Sequence, residues 1–213
     1  QYDWQIDDML ILNDPYLGGT HLPDVTLIAP VFVDAQRVGS VANRAHHADI
    51  GSDTPCSMPI THVLEEEGMI IPPSFLIKRG KVNDELKNKI IGSMRNQHIG
   101  EGDFTAQISA NQCGKARLEL LVGSLGHECY VSGLVALNDY AERLARSALE
   151  TIPDGCYAFS DVMDDDGLGT RDIKITCTIK VDNGNIHVDF SGTADQTRGN
   201  INCPLSVAAA GVY

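Results

Sequence analysis

The 213-residue chain has 29 acidic and 16 basic side chains, a formal net charge of −13 at pH 7. Nucleic acids and anionic membrane surfaces are bound through clustered basic side chains, and here these are scattered, so we expect neither partner. No apolar run approaches the roughly 20 residues that span a bilayer, and neither a signal peptide nor a C-x-x-C pair is recognisable. We therefore expect a cytoplasmic protein with reduced cysteines.

The first predicted structure is a β-hairpin. Two apolar segments rich in β-branched residues, 25–33 and 38–45, flank the polar residues 34–37 and predict two strands joined by a turn. A turn centred on this polar segment pairs residues whose numbers sum to about 70. Asp24 then lies across from His46, with Cβ atoms roughly 5 Å apart on one face.

One residue puts this register in question. Pro30 cannot donate to a strand ladder, so it predicts an edge strand or a β-bulge. A bulge that shifts the register by one would put His47 in the place of His46. Without that shift, His47 points to the opposite face of the hairpin.

The hairpin and the segment before it predict a metal site. Gly18 and Gly19 allow the backbone to fold back, so that the ring of His21 reaches Asp24 and His46. Imidazole nitrogen together with carboxylate oxygen suits divalent Zn, Mn or Fe. The alternative is that these are turn residues with satisfied polar groups.

The composition changes twice along the chain. Residues 1–82 have the proline, glycine and apolar pattern of strands and loops, and they include the predicted metal site. Residues 83–152 are dominated by helical periodicity, and residues 153–213 return to alternating strands. This order predicts a mixed α+β fold with a β-rich N-terminal part, central helices and a C-terminal antiparallel hairpin.

Three helices are predicted in the middle region. The first is capped by Asn83 and is stopped by Gly100 and Gly102. The second covers residues 103–125, and the third covers residues 129–151. The apolar stripes of these helices are expected to lie in the core.

The C-terminal hairpin has an internal check on its register. The Asn-Gly pair at residues 183–184 is typical of a two-residue turn, which pairs residues whose numbers sum to 367. Apolar residues then face apolar residues, as in the pair of Val181 and Ile186. His187 falls opposite Lys180 on the outer face, so we expect it at the surface and not at a metal.

Several motifs together resemble those of a known family. In chain order they are N-D-P-Y-x-G-G-T-H-x-P-D at 13–24, H-H-A-D-I-G at 46–51, E-G-x-x-I-P-P at 67–73, G-D-F-x-A-Q at 102–107, and D-F-S-G-T through G-N-I-N-C-P at 189–204. This series resembles the hydantoinase B/5-oxoprolinase family and the related large subunits of acetone and acetophenone carboxylases. Members of that family are considerably longer, so the chain is expected to be one compact fragment of a larger subunit.

The resemblance implies an ATP-driven enzyme of two components and therefore a hetero-oligomer. A hydantoinase A-type subunit or domain, which holds ATP with Mg, would phosphorylate the substrate. The B-type part would complete the reaction at a divalent metal, and the metal positions carried over are His21, Asp24 and His46. In a hydrolase, metal-bound water would attack a phosphorylated cyclic amide, namely a hydantoin, 5-oxoproline or lactam.

The catalytic residues and the reaction type stay open at this point. Asp14, His47, Asp49 and Glu66 are expected to orient the ligands or to move protons. The first alternative function is a subunit of an ATP-dependent ketone carboxylase, and the second is a non-catalytic domain with a structural metal. No residue that would recognise the substrate can be identified, so hydrolase and carboxylase are not distinguished.

Overall fold

The computed structural model describes residues 2–55 and 59–213, and Cys56 lies outside them. These described residues form two antiparallel sheets and four α-helices, which confirms the α+β fold class. The strands are β1 (Met9–Leu12), β2 (Asp24–Val33), β3 (Gln36–His46), β4 (Ser74–Lys78), β5 (Lys81–Val82), β6 (Gly155–Asp165), β7 (Arg171–Asp182) and β8 (Asn185–Asp189). The helices are α1 (Asp84–Ser93), α2 (Gln97–Leu125), α3 (His127–Leu149) and α4 (Leu205–Val212), with a 3-10 helix at Leu64–Glu67.

The chain packs into two compact units. The first runs through Ser124 and takes in Cys203–Gly211, and the second consists mainly of Leu125–Asn202. The boundary falls at the C-terminal end of α2, just before α3, inside the region that composition marks as helical. The sequence-based division at residues 82 and 152 follows changes of secondary structure, and as a division into domains it stays a prediction.

The first unit is built on a five-stranded sheet with the order β3-β2-β1-β4-β5. The central strands β1 and β2 carry its core, in which Ile11, Val25 and Leu27 are completely buried. Ile90 of α1 and Phe104 of α2 belong to the same apolar cluster. Each such side chain stabilises the fold by about 1.5–3 kcal/mol, and together they fix α1 and α2 against the sheet.

The register of the first hairpin is the predicted one. Asp24 pairs with His46, and the numbers of paired residues sum to 70 as far as Val31 and Gly39. A bulge, one of the two alternatives that Pro30 predicted, is present, but it lies between Val31 and Phe32, next to the turn. It therefore leaves the pairing of Asp24 with His46 unchanged.

Pro30 is accommodated although β2 is an interior strand. Only the segment from Thr26 to Ile28 pairs with β1, so Pro30 lies beyond the end of that neighbour. On the other side, Pro30 keeps its place opposite Ser40 in the pairing of β2 with β3.

The predicted helix boundaries are correct at some ends and wrong at others. The second helix ends at Leu125 as predicted but begins at Gln97 and not at residue 103, and the third is His127–Leu149 and not 129–151. Asn83 caps α1 by accepting a hydrogen bond from the backbone of Leu86 at 3.1 Å. The expectation that Gly100 and Gly102 stop this helix is wrong, because α1 ends earlier, before the extended residue Met94, and both glycines lie within α2. An interior glycine costs a helix only about 1 kcal/mol, and Gly100 packs so closely against Met94 that a Cβ atom would lie 2.2 Å from its sulfur.

The second unit contains a three-stranded sheet with the order β6-β7-β8. The predicted register is confirmed, since Val181 pairs with Ile186 and Lys180 pairs with His187. His187 is exposed, as expected. The five cysteines within the described residues are free thiols.

The apolar stripe of α3 is not in a core, contrary to the prediction. Its members are well exposed, with values of 43% for Leu134, 62% for Leu137 and 54% for Leu144. Among the described residues, the helix contacts the sheet mainly at β8, and most of the stripe stays exposed to solvent. No single described helix is long and apolar enough to cross a membrane, and α2 and α3 meet that criterion only when counted together as one interrupted segment.

Candidate metal centre

Three side chains converge at the open end of the first hairpin. His21 lies in the turn before β2, Asp24 begins β2, and His46 ends β3. Nδ1 of His21 is 2.8 Å from Asp24 Oδ2, and Nδ1 of His46 is 3.2 Å from Asp24 Oδ1. One donor atom from each residue lies within 4.8 Å of the other two, so the predicted convergence is present.

The turn before β2 is shaped by close packing at Gly19. A Cβ atom there would lie 2.2 Å from the carbonyl oxygen of Asn13, so only glycine fits. The N–H of Gly19 donates to the carbonyl of Asp14 at 2.8 Å, and the N–H of Asp24 donates to that of His21 at 3.0 Å. These bonds fold the chain back and bring the imidazole of His21 over the strand end.

A buried amide holds this turn in place. Asn13 is completely buried, and its Nδ2 donates to the carbonyl oxygens of Leu22 at 2.8 Å and Met69 at 2.9 Å. Its Oδ1 accepts the N–H of Ile71 at 2.7 Å. Asn13 thereby joins Leu22, the residue after His21, to the segment of residues 69–71, which limits the movement of the backbone at His21.

The environment of Asp24 favours the carboxylate. Burial alone would raise its pKa, but the hydrogen bond from Thr20 Oγ1 at 2.7 Å and the neighbouring His21 and His46 together lower the pKa below the ordinary value. The group is therefore an anion at neutral pH, with its two oxygens directed at the two rings.

Arg44 supports this arrangement, and our sequence reasoning missed it. Its Nε donates to Thr26 Oγ1 at 2.8 Å, and its Nη2 donates to the carbonyl of Gly18 at 3.1 Å. Its Nη1 lies 3.5 Å from Thr20 Oγ1, the hydroxyl that binds Asp24. The sum-of-70 register already pairs Thr26 with Arg44, so this contact could have been found from the sequence.

The donor set fits a borderline divalent cation. It offers two imidazole nitrogens and one carboxylate oxygen, the ligands typical of protein-bound Zn, Mn or Fe. His21 is 34% exposed and His46 is 47% exposed, so the rings are accessible from outside the core. Three protein ligands would leave a coordination position for water or substrate, which is the pattern of catalytic sites rather than of closed structural ones.

Comparison with known proteins identifies the family. The family profile described as hydantoinase B/oxoprolinase matches residues 1–213. The chain belongs to this family. It is 33% identical over 205 residues to the putative B-type subunit of a D-/L-hydantoinase of Pseudomonas sp. strain NS671, an alignment that covers 93% of this chain and 35% of that protein.

Two solved structures are similar to this member of the hydantoinase B/oxoprolinase family. The crystal structure of the ATP-dependent caprolactamase from Pseudomonas jessenii matches with a TM-score of 0.93 and 28% identity, over 99% of this chain and 36% of the other. A nucleotide-free acetone carboxylase matches with a TM-score of 0.81 and 18% identity, over 96% and 29%, which is a likeness of fold. The chain spans about a third of the length of the first relatives that it matches.

The four expected catalytic residues do not join the three converging side chains. Asp14 accepts the N–H of Tyr16 at 2.9 Å, and Glu66 accepts the N–H of His62 at 2.9 Å, each with one carboxylate oxygen. Within the described part of the chain, both carboxylates are thus directed at neighbouring backbone groups. Their roles stay predictions.

Both oxygens of the Asp49 carboxylate accept hydrogen bonds. Its Oδ1 accepts the N–H of Gly51 at 2.8 Å, and its Oδ2 accepts the N–H of Arg95 at 2.7 Å, with the guanidinium of Arg95 3.4 Å away. Burial would raise its pKa, but the Arg95 N–H, the Gly51 N–H and the Arg95 charge lower it. This geometry fits an anchor for the loop after His46 and His47.

His47 lies in the core and not beside His46. It is 2% exposed, and its ring stacks on Phe104 of α2 with a centroid distance of 4.5 Å. Our sequence reasoning identified the motif that contains Phe104 but gave that motif no role.

Proposed function

We propose that this chain is the metal-bearing part of a subunit of an ATP-dependent enzyme that opens cyclic amides, with hydantoins, 5-oxoproline or lactams as the substrate class. The observation that carries the proposal is the convergence of His21, Asp24 and His46 on a common point. The likeness to the ATP-dependent caprolactamase, at 28% identity over 99% of this chain, supports the same reaction class.

The three side chains are assigned the role of metal ligands. A bound Zn, Mn or Fe ion would supply Lewis-acid polarisation of a water molecule or a substrate oxygen. His21 and His46 would present neutral imidazole lone pairs, and Asp24 would present its anion. Thr20 fixes the orientation of the Asp24 carboxylate through its 2.7 Å hydrogen bond, and Arg44 holds Thr20 from the neighbouring strand.

The remaining candidates receive different roles. Asp14 and Glu66 are proposed to move protons, because each binds a backbone N–H with only one oxygen. Asp49 is proposed to fix the loop after β3, since both of its oxygens are engaged. Activation of the amide oxygen by ATP, with Mg, is assigned to a hydantoinase A-type partner subunit or domain. The Pseudomonas sp. relative is itself named as one subunit of a hydantoinase, which supports such a hetero-oligomer.

The first test is metal content. His21→Ala, Asp24→Ala and His46→Ala in the full-length protein should each lower the bound metal from about one equivalent to a small fraction, because two remaining ligands hold a divalent ion weakly. His187→Ala is the matched control, since His187 is an exposed histidine of the second sheet. Elemental analysis by mass spectrometry measures the stoichiometry. Equal metal content in all four variants would contradict the ligand assignment.

The second test is the reaction itself. The complete enzyme should open a cyclic amide when ATP is supplied, without bicarbonate, and removal of the metal with a chelator should abolish this turnover. Turnover only with bicarbonate and a ketone would replace the hydrolase proposal by the carboxylase. Four protein ligands on the ion, seen by X-ray absorption, would instead favour a structural metal.

A further inference from the structure

The N-terminal part of α2 packs against the hairpin at the end that carries the candidate ligands. Phe104 is 3% exposed and stacks on the ring of His47, with an interplanar angle of 28°. Gln107, one turn later, is 5% exposed. Both residues belong to the G-D-F-x-A-Q motif at 102–107, so this motif faces the hairpin.

Gln107 makes hydrogen bonds to both strands of the hairpin. Its Nε2 donates to the carbonyl of Val25 at 3.0 Å and to Asn43 Oδ1 at 2.9 Å. Its Oε1 lies 2.9 Å from His47 Nε2. Its own backbone carbonyl accepts from Asn43 Nδ2 at 2.8 Å. One buried side chain is thus connected to β2 and to the chain on both sides of His46.

The pattern of donors fixes the tautomer of His47. Both N–H groups of the Gln107 amide are directed at acceptors, so its carbonyl oxygen must face His47. His47 Nε2 therefore donates, and His47 Nδ1 is left as a buried acceptor with no partner in the described part of the chain. His47 consequently acts here as a hydrogen-bond donor to α2, and not as a ligand at the hairpin end.

The contacts of Gln107 lie next to the candidate ligands in sequence. Val25 directly follows Asp24, and His47 directly follows His46. Asp24 and His46 are cross-strand partners, so the distance between their side chains depends on how the two strand ends are held. A side chain that binds the next residue on each strand restrains this spacing.

We propose that Gln107 is a positioning residue for the metal site, and that through Val25, Asn43 and His47 it holds Asp24 and His46 at the separation that a divalent ion requires. This inference rests on the proposed function, because it assumes that His21, Asp24 and His46 bind the ion. An apolar side chain at this position would leave the Val25 carbonyl and the Asn43 side chain without the hydrogen bonds that Gln107 supplies. These directional bonds fix how α2 is seated on the strand ends, which packing alone would specify less tightly.

The test compares two glutamines on the same helix. Gln107→Met keeps the length of the side chain but removes its hydrogen bonds, and Gln112→Met is the matched control at an exposed position of α2. Both are made in the full-length protein. Calorimetric titration with Zn²⁺ or Mn²⁺ measures affinity, and the visible spectrum of the Co²⁺-substituted protein reports the ligand geometry. Circular dichroism checks that each variant is folded.

Gln107→Met should bind the ion at least tenfold more weakly and alter the Co²⁺ spectrum, while Gln112→Met should match the wild type. Asn43→Ala changes a half-buried residue of the edge strand and should weaken binding of the ion to a smaller extent. This variant replaces Gln107→Met in the test if Gln107→Met does not fold. Unchanged affinity and an unchanged Co²⁺ spectrum in the folded Gln107→Met or Asn43→Ala variant would overturn the inference.

The same titration separates the inference from the proposed function. If His46→Ala loses the ion and Gln107→Met keeps it with wild-type affinity, only the positioning role is wrong. If His46→Ala itself keeps the ion with wild-type affinity, the ligand assignment is wrong, and the positioning role is overturned with it.

Discussion

Asp24 is the residue on which the candidate site is centred. It contacts both imidazoles, and a threonine hydroxyl fixes one of its oxygens. Its position opposite His46 follows from arithmetic on the sequence, because the turn defines the pairs of the hairpin. The support from Thr20 and Gln107 was harder to predict, since a side-chain hydrogen bond depends on rotamers and on a helix that approaches from distant sequence.

Asp8 is a second buried carboxylate of the first unit, and its contacts predict how the stability of this unit depends on pH. Its side chain is completely buried and accepts hydrogen bonds from Lys78 Nζ, from the N–H of Arg79 and from the N–H of Gln5, each at 2.8 Å. Burial alone would raise its pKa, but Lys78 and the two backbone donors lower it below the ordinary value. Folding therefore favours the ionised form.

The free energy of unfolding should consequently fall in acid. A carboxyl whose pKa is lower in the folded state contributes fully above its unfolded pKa of about 3.9, and this contribution is lost as the pH falls through the folded pKa. Asp8→Asn should lose stability at pH 7 and flatten this acid dependence. Urea unfolding at several pH values, followed by fluorescence of Trp4 in the same unit, measures both effects.

The control for this prediction is Asp53→Asn, at an exposed position of the same unit. It should leave both the stability and the acid dependence close to those of the wild type. If Asp8→Asn shows the same pH profile as the wild type, the stabilising role of the Asp8 carboxylate is contradicted.

At the scale of elements, strand pairing was predictable, whereas helix boundaries were predictable only in part, since α2 ends at Leu125 as predicted but begins six residues before the predicted start. Both hairpins have the registers that turn position and alternation define, with sums of 70 and 367. The alternation of apolar residues is a local signal, and it fixes which face each strand buries. A glycine alone does not mark a helix end, since Gly100 and Gly102 lie inside α2, whereas Gly126, with a φ of 81°, lies between α2 and α3.

The close packing of the loop before β2 predicts opposite effects on stability for alanine substitutions at two glycines. Gly19→Ala should lower the stability by about 1–3 kcal/mol, because its Cβ atom would lie 2.2 Å from the Asn13 carbonyl oxygen. Gly92→Ala is the matched change in the last turn of α1, where nothing lies within 4 Å of the added atom. It should raise the stability by about 0.5 kcal/mol, since alanine has a higher helix propensity than glycine.

Thermal unfolding of the two variants measures these changes. Gly19→Ala should also weaken metal binding, because the displaced turn moves His21. A Gly19→Ala protein as stable as the wild type would show that this turn adapts without cost, and the account of its shape would be wrong.

At the scale of the whole molecule, the two units differ in how much apolar surface they bury. The first has an extended core, whereas Val181 is the only hydrophobic residue that is fully buried among the described residues of the second. One face of its sheet carries Tyr157 at 44% exposure, Phe159 at 73% and Ile175 at 41%. The sequence predicted this alternation but could not show that the face stays exposed, because that depends on which surfaces lie opposite it.

This exposed face predicts dye binding by the isolated chain. A contiguous apolar surface binds fluorescent apolar dyes, so the 213-residue chain should increase the fluorescence of anilinonaphthalene sulfonate. Phe159→Ser should reduce that signal strongly. Val162→Ser is the control, because Val162 is an apolar residue of similar position, 48% exposed, on the opposite face of the same strand. Equal reductions in both variants would contradict the assignment of the dye to this face.

All three candidate ligands come from the continuous stretch of residues 21–46, and the spacing of Asp24 and His46 is set by the pairing of β2 with β3. On the proposed assignment, the ligands and their spacing form one short segment, which needs from the rest of the chain only the contact that Gln107 makes. Substrate preference could then change in the surrounding polypeptide without loss of the ligands. Redesign toward a new ring size should accordingly begin outside residues 21–46 and leave that segment unchanged.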